Sequence, residues 1–392
     1  MSEMGLNGEE VRRQNLAHLV RLLHREGPTS RSRLTEATGL NRSTIADLVG
    51  ELSRRGVVEE QAPTGAHRVG RPSLVVRTRG NWMAIAVNPE IDAVTFGAVA
   101  LNGVVIARER IEVAGAPTPE ATARMINEQI ELWKAGPLAD ARLVGIGIAV
   151  PGLVRTHDGL VRNAPHLGWH DVPLRDIVSE LTQLPTVIDN DATLGLVAEH
   201  LFGAAKGVAH VVYLNGGASG IGGGIVVHGL PVRGASGYAG EFGQNRPGIL
   251  ADADRRAPNG VLEDEVSRAR LLSVAGLSSA DEPTLAHVLT HAIGDAAGDE
   301  IARQRRILAT ALANAVNVLD PQVVVLGGFL ATLASTDTVG LATLVRSHAM
   351  NEIGDDFELR VAGLGEDRLL IGAAEAAFAP LLSDPAALAS EL

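Results

Sequence analysis

Cysteine is absent from this chain, which excludes disulfide bonds and every thiolate metal site, although it leaves the compartment open. No low-complexity tract is present either: the 44 glycines are scattered through apolar segments, and 46% of the 392 residues are hydrophobic against 20% charged. A soluble globular chain of two or three domains is expected from that size and balance. The apolar run from Leu143 to Leu153 is too short and too glycine-rich to span a bilayer. Residues 1–10 are polar and no secretory signal is read, so a cytoplasmic location without a membrane partner is expected.

Lysine is missing from residues 1–80, but arginine is not. That segment holds 13 Arg against 9 Asp and Glu, a balance of +4; the rest holds 21 basic against 37 acidic residues, a balance of −16. The net charge of −12 argues against nucleic acid, yet the first segment alone has an electrostatic reason to approach phosphates.

The spacing of Leu16, Leu19, Val20 and Leu23 predicts a helix from Val11 to His24, stopped by Glu26-Gly27-Pro28. Thr29 or Ser30 caps a second helix carrying Leu34 and Ala37, and Gly39 supplies the turn that follows. Asn41 or Ser43 caps a third helix with Ile45, Leu48, Val49 and Leu52 on one stripe. This is helix-turn-helix grammar, in which the second helix of the pair enters the major groove. Val57 to Glu60 and Ser73 to Arg77 are expected as strands of a wing. Asn41, Arg42, Ser43, Thr44 and Asp47 are the candidates for base edges and phosphates of double-stranded DNA. Arg68 and Arg71, in the loop of the wing, are candidates for phosphates or a neighbouring minor groove.

Beyond residue 80 the pattern turns to short β-rich runs. Met83 to Val87, Val94 to Ala100 and Val104 to Val113 predict three strands with Asn102-Gly103 as a hairpin turn. A helix from Pro119 to Lys134 and a buried strand from Leu143 to Val150 follow. The same grammar returns later: a strand from Thr186 to Ile188 runs into a helix through Phe202, and strands from His210 to Leu214 and Ile221 to Val227 flank a glycine loop, Asn215 to Gly220. A helix from Glu300 to Leu319 then feeds a strand from Val323 to Leu326 and the turn Gly327-Gly328. Two lobes, 81–185 and 186–392, are expected around a cleft, with the C-terminal helix returning to the first lobe. Arg303, Arg305 and Arg306 read as a solvated helix face. None of the 12 histidines falls in a paired helical spacing with a second ligand nearby; His166, His170, His200, His210 and His228 are expected as hydrogen-bonded surface or cleft residues.

Four segments in order, Asn163-Ala164-Pro165-His166-Leu167-Gly168-Trp169, Asp189-Asn190-Asp191-Ala192, Gly220-Ile221-Gly222-Gly223-Gly224 and Ala239-Gly240-Glu241-Phe242-Gly243, resemble the ROK family of repressors and sugar kinases. The N-terminal module matches the regulator branch. The resemblance implies an α/β chain: a winged helix-turn-helix domain followed by a two-lobed, actin-like sugar-kinase fold. It also implies a sugar site at Asn163, Asn190, Asp191, Glu241 and Glu263, with Asp191 standing where the kinases keep their general base. Adjacent sugar hydroxyls suit paired carboxylate and amide groups, and a buried charge-assisted bond to one is worth roughly 1.5–3 kcal/mol.

Two family features are expected to be lost. The stretch matching the first phosphate loop is Asn88-Pro89-Glu90-Ile91-Asp92, with neither glycine and two carboxylates, so no ATP and no catalysis are expected. The family zinc site would fall on Gln244, Asp254, Arg256 and Val261, a set that cannot hold zinc, and Gln244 then joins the sugar site. No cofactor or metal is therefore expected. The function expected is a repressor, a homodimer or dimer of dimers, that releases operator DNA when a sugar or sugar derivative enters the cleft. The alternatives are a sugar kinase that also binds DNA, and a regulator whose lobes serve only as a dimerisation scaffold.

Overall fold

The computed structural model describes residues 8–62, 74–249, 251–257, 260–291, 294–354 and 356–387. Its first helix, Gly8–Glu26, buries Leu16, Leu19, Val20 and Leu23, the four leucine and valine positions of the helical stripe. Helices Arg31–Thr38 and Arg42–Arg54 pack beside it through Leu34, Ile45, Leu48, Val49 and Leu52. The caps are local chemistry. Ser30 accepts the Arg33 N–H at 3.3 Å, Asn41 accepts the Thr44 N–H at 2.9 Å, and Gly39 adopts a left-handed φ of +69° that closes the turn between the helices.

Val58–Gln61 and Val75–Thr78 pair antiparallel, displaced by one or two residues from the expected strands. A third, two-residue strand, Thr29–Ser30, adds to the outer side of Val75–Thr78 and had no signal of its own in the sequence.

Two five-stranded sheets form the body. The first runs in the order Thr186–Asn190, Arg142–Val150, Trp82–Pro89, Ala93–Ala100, Val105–Glu112, parallel at its first two junctions and antiparallel at the rest. The second runs Leu230–Pro231, Gly220–Val227, Val211–Gly217, Val323–Gly328, Glu358–Val361. Val211–Gly217 and Gly220–Val227 stay paired as far as Gly217 opposite Gly220, so the expected glycine loop is mostly strand and only Ala218 and Ser219 make the turn.

Helices Asp191–Leu201 and Arg368–Ser383 lie against each other between the sheets. Their contact is backbone on backbone: a Cβ on Gly372 would fall 2.1 Å from the Leu194 carbonyl oxygen, and one on Gly147 of the first sheet 1.8 Å from that of Ala373. A single apolar cluster runs from Leu16 of the first helix through Trp82, Ala84 and Ala86 of the first sheet to Phe378 and Leu381 of the last helix. A small antiparallel sheet, Leu153–Arg155, Leu160–Ala164 and Trp169–Val172, was not legible as strands; the buried Trp169 fixes it by donating its indole N–H to the Pro117 carbonyl at 2.9 Å.

The long helix spans Asp295–Leu319, starting five residues before the expected Glu300, and its arginines also depart from expectation. Arg303 is not solvated: it is 2% exposed and bonded to Glu265 at 3.0 Å and Glu300 at 2.7 Å. Arg305 and Arg306 pair with Asp337 at 2.8 Å and Asp254 at 2.7 Å. Helical periodicity placed the arginines correctly along the helix but could not see that the loop before it folds over one of them. Among the described residues no helix is long and apolar enough to cross a membrane.

Candidate functional site

All six residues expected at the sugar site line one cavity of about 800 Å³ between the lobes. Asn163 arrives on Leu160–Ala164, with His170 of the next strand as its register partner. Asn190 ends a parallel strand and caps the helix after it: its side-chain oxygen accepts the Thr193 N–H at 3.0 Å, while its amide nitrogen donates to the Gly152 carbonyl at 3.0 Å. Both ends of this amide are thus engaged, and Asn190 fixes the floor of the cleft. Asp191, at the first helical position, accepts the Ala192 N–H at 2.8 Å.

Opposite, Glu263 accepts the Ile221 N–H at 3.1 Å and a bond from the Gln244 amide at 2.6 Å, so glutamine occupies part of the glutamate's bonding capacity. Glu241 keeps its carboxyl facing the same space. Burial pushes the Asp191 carboxyl up to about 7, against the Ala192 bond, and the Glu90 and Glu241 charges add to the rise. Burial and the Glu263 charge raise Glu241 as well. Near neutral pH the Asp191 carboxyl can donate as well as accept hydrogen bonds, which is what a ring of hydroxyls requires.

The other half of the cavity is formed where the first sheet ends. Asn88 and Pro89 close the strand Trp82–Pro89, and the Glu90 N–H donates to the Ala93 carbonyl at 2.8 Å, giving a tight turn with Glu90 and Asp92 at the cavity wall. Burial, then the Asp92 charge, raise the Glu90 carboxyl. Arg368 lies beside Gly328, bonded to Glu282 at 2.6 and 3.0 Å and to Asn215 at 3.0 Å. Neither Arg368 nor Glu282 was singled out from the sequence; only the three-dimensional packing brings residues so far apart in the chain together.

Around Asp254 and Arg256, where the sequence resemblance implied a metal loop, a polar network organises the chain. Glu265, fully buried, accepts the backbone N–H groups of Arg256 and Ala257 at 2.9–3.0 Å, and Arg303 bonds both Glu265 and the Asp254 carbonyl at 2.7 Å. Among the described residues no group of three or more His, Asp and Glu could hold a metal ion. One histidine expectation needs correcting. His287 and His291 do share a helical turn, on Glu282–His291, with ring centroids 4.6 Å apart; the helix itself was not recognised in the sequence.

On the head, Asn41, Arg42, Ser43 and Asp47 are exposed and Thr44 is half-buried at the start of Arg42–Arg54, where the helix dipole favours an anion. The Asn41 side-chain oxygen is taken by the cap and by the Ser43 hydroxyl at 2.7 Å. Arg12, Arg31, Arg55 and Arg77 are tied to glutamates, whereas Arg42 makes no side-chain bond among the described residues. Arg68 and Arg71 lie outside the described residues.

Where head meets body, His24 is 3% exposed. Its Nδ1 is bonded to the Leu101 carbonyl, its Nε2 lies 2.8 Å from a Glu375 oxygen, and its ring sits edge-on to Phe202 and Phe378. Burial alone would lower the imidazole, but the Glu375 carboxylate reverses this and the net shift is upward.

Fold and cleft together define a two-lobed, sugar-kinase-like body carrying a three-helix head. The chain belongs to the ROK family, whose model matches residues 85–379. It is 27% identical over 375 residues to the xylose repressor of Caldicellulosiruptor bescii, covering 91% of this chain and 93% of that one. The xylose repressor of Bacillus subtilis is 26% identical over 368 residues, covering 92% and 94%. A glucokinase of Halalkalibacterium halodurans is 32% identical over 250 residues, covering 59% of this chain and 74% of that one. Among solved structures, a ROK family transcriptional regulator described as a homologue of the E. coli MLC protein superposes with a TM-score of 0.76 at 22% identity, over 97% of this chain and all of that one.

Proposed function

We propose that the chain is a sugar-responsive transcriptional repressor. In this reading residues 1–80 are a winged helix-turn-helix domain on operator DNA, residues 81–185 and 186–392 are the lobes of the sensor, and the working unit is a homodimer in the cytoplasm. The observation that carries it is coverage. The xylose repressors align with 91–92% of this chain, head included, whereas the glucokinase of Halalkalibacterium halodurans covers 59%. Arg42, untied at the N-terminus of the reading helix, fits the role of a phosphate or base contact. A sugar held between the lobes shifts the head between two placements only by its differential affinity for them.

No ATP-dependent chemistry is proposed. Glu90 and Asp92 would face the phosphates, and like charges at about 4 Å repel by about 4 kcal/mol per pair at an intermediate effective dielectric. Asp191 near neutral pKa and the glucokinase likeness favour a kinase that also binds DNA, and sugar phosphorylation above background by the purified chain would establish that reading instead.

The test is fluorescence anisotropy of the full chain with duplexes from upstream of its own gene and with random duplexes of equal length. Preference for an upstream duplex, weakened with salt, is expected; Arg42→Ala should lower that affinity by about 1–3 kcal/mol while leaving sugar binding unchanged. Equal affinity for upstream and random duplexes would sink the proposal.

A further inference from the structure

In kinases of this fold the half of the cleft next to the first sheet serves phosphates. Here its wall is of a different chemical kind. Asn88, Thr95 and Arg110 occupy one cross-strand row on three neighbouring strands, with Asn88 opposite Thr95 and Thr95 opposite Arg110. Residues so paired project from the same face of a sheet, and all three line the cavity. Along the first of these strands, Ala84 and Ala86 of that face pack into the apolar cluster under the last helix, so Asn88 is where the face turns polar. Asn88 is only 6% exposed, and its buried side-chain oxygen has no hydrogen-bond partner among the described residues. A buried amide oxygen left unpaired costs about 1–3 kcal/mol, and one that lines a cavity is open to a donor from a ligand.

The charges around this row decide what the ligand is. Three of the four arginines of the cavity are paired with carboxylates, Arg108 with Glu366 at 3.1 Å, Arg110 with Glu112 at 3.2 Å and Arg368 with Glu282 at 2.6 Å, while Arg268 is held by the Ala280 carbonyl. Among the described residues the Glu90 carboxyl, near enough to feel the charges of Asp191, Arg110 and Arg268, has no ion pair or hydrogen bond of its own. A phosphate here would meet the Glu90 and Asp92 carboxylates, with Arg268 the one lining arginine not paired with a carboxylate among the described residues. A hydroxyl, which donates to the Asn88 oxygen and exchanges bonds with Thr95 and Glu90, meets a complementary surface. The cavity, at about 800 Å³, lies in the upper part of the roughly 300–1,000 Å³ range of drug-sized ligand sites.

We infer that Asn88, Glu90 and Thr95 form a second saccharide subsite, and that the effector is an unphosphorylated sugar of two rings: one ring beside Asp191 and Glu241, the next where a kinase holds phosphates. This inference rests on reading the cleft as a sugar sensor, and the test separates the two. Binding of glucose, maltose, cellobiose, xylose, xylobiose and glucose 6-phosphate to the full chain is measured by calorimetry and thermal shift.

At least one disaccharide is expected to bind about tenfold or more tightly than its own monosaccharide, the worth of one or two hydrogen bonds. Asn88→Ala should erase most of that preference and leave the monosaccharide affinity where it was; Glu90→Gln should erase most of it too, with a smaller change in monosaccharide affinity through its charge on Asp191. Because Asn88→Ala removes an unpaired polar group, its melting temperature should equal or exceed that of the wild type; Glu90→Gln, nearly isosteric, guards against a misfolded variant. Monosaccharide and disaccharide binding equally, a preference that survives both substitutions, or glucose 6-phosphate binding more tightly than glucose would overturn the subsite while the sensor reading stands. If no sugar of either length binds, the sensor reading fails and the subsite with it.

Discussion

Arg303 illustrates how one side chain can organise a loop. Its guanidinium joins Glu265, Glu300 and the Asp254 carbonyl, while Glu265 also holds two backbone N–H groups of the same loop. Arg303→Met would strand the Glu265 carboxylate, and loss of one partner of a buried pair costs about 3–5 kcal/mol, so chemical denaturation should show a fall of that order. An unchanged midpoint would mean the loop is held by other contacts. Asp191 makes a second prediction at this scale. The unfolded carboxyl titrates near 3.9, the folded one near 7, so the native state holds the extra proton between those values and stability falls as pH rises through them. Asp191→Asn cannot lose that proton. Its melting temperature, relative to the wild type, should therefore climb between pH 5 and pH 8, and a constant difference would contradict the raised pKa. The sequence showed these two residues unequally: Asp191 stood in a motif, whereas the burial of Arg303 depends on Glu265, 38 residues away.

Among elements, the edge strands Leu230–Pro231 and Glu358–Val361 were not read, whereas the helices with a clear apolar stripe were legible by their period and the central strands as short apolar runs. The strands around Asn163 were not, since each is three to five residues long and is held by one tryptophan and by register. Nor was the row of Asn88, Thr95 and Arg110, because cross-strand neighbours are set by hairpin register, which a linear pattern does not display. The packing of Asp191–Leu201 on Arg368–Ser383 gives a prediction of its own. Gly372→Ala drives a Cβ into the Leu194 carbonyl, a backbone atom that cannot swing away. Overpacking of this kind costs about 1–3 kcal/mol, and the melting temperature should drop accordingly. A variant as stable as the wild type would show that the two helices can separate freely.

For the whole molecule, the buried His24 ties the first helix to Glu375 of the last, with Phe202 at the end of the helix that starts in the cleft. Because its pKa is raised on folding, the pair contributes fully below the unfolded value of about 6.5 and its contribution is lost as pH rises through the folded value. The melting temperature should decline across that window in the wild type, and His24→Phe should lack this component of the decline; an identical profile for the two would remove His24 from the account. The cluster that runs unbroken from Leu16 to Leu381 has a practical corollary. A scissor cut at residue 80 would not release a self-sufficient DNA reader: it would strip the leading helix of its far-end companions and leave sticky leucines facing water, so excised halves should clump while the intact polypeptide melts in one step.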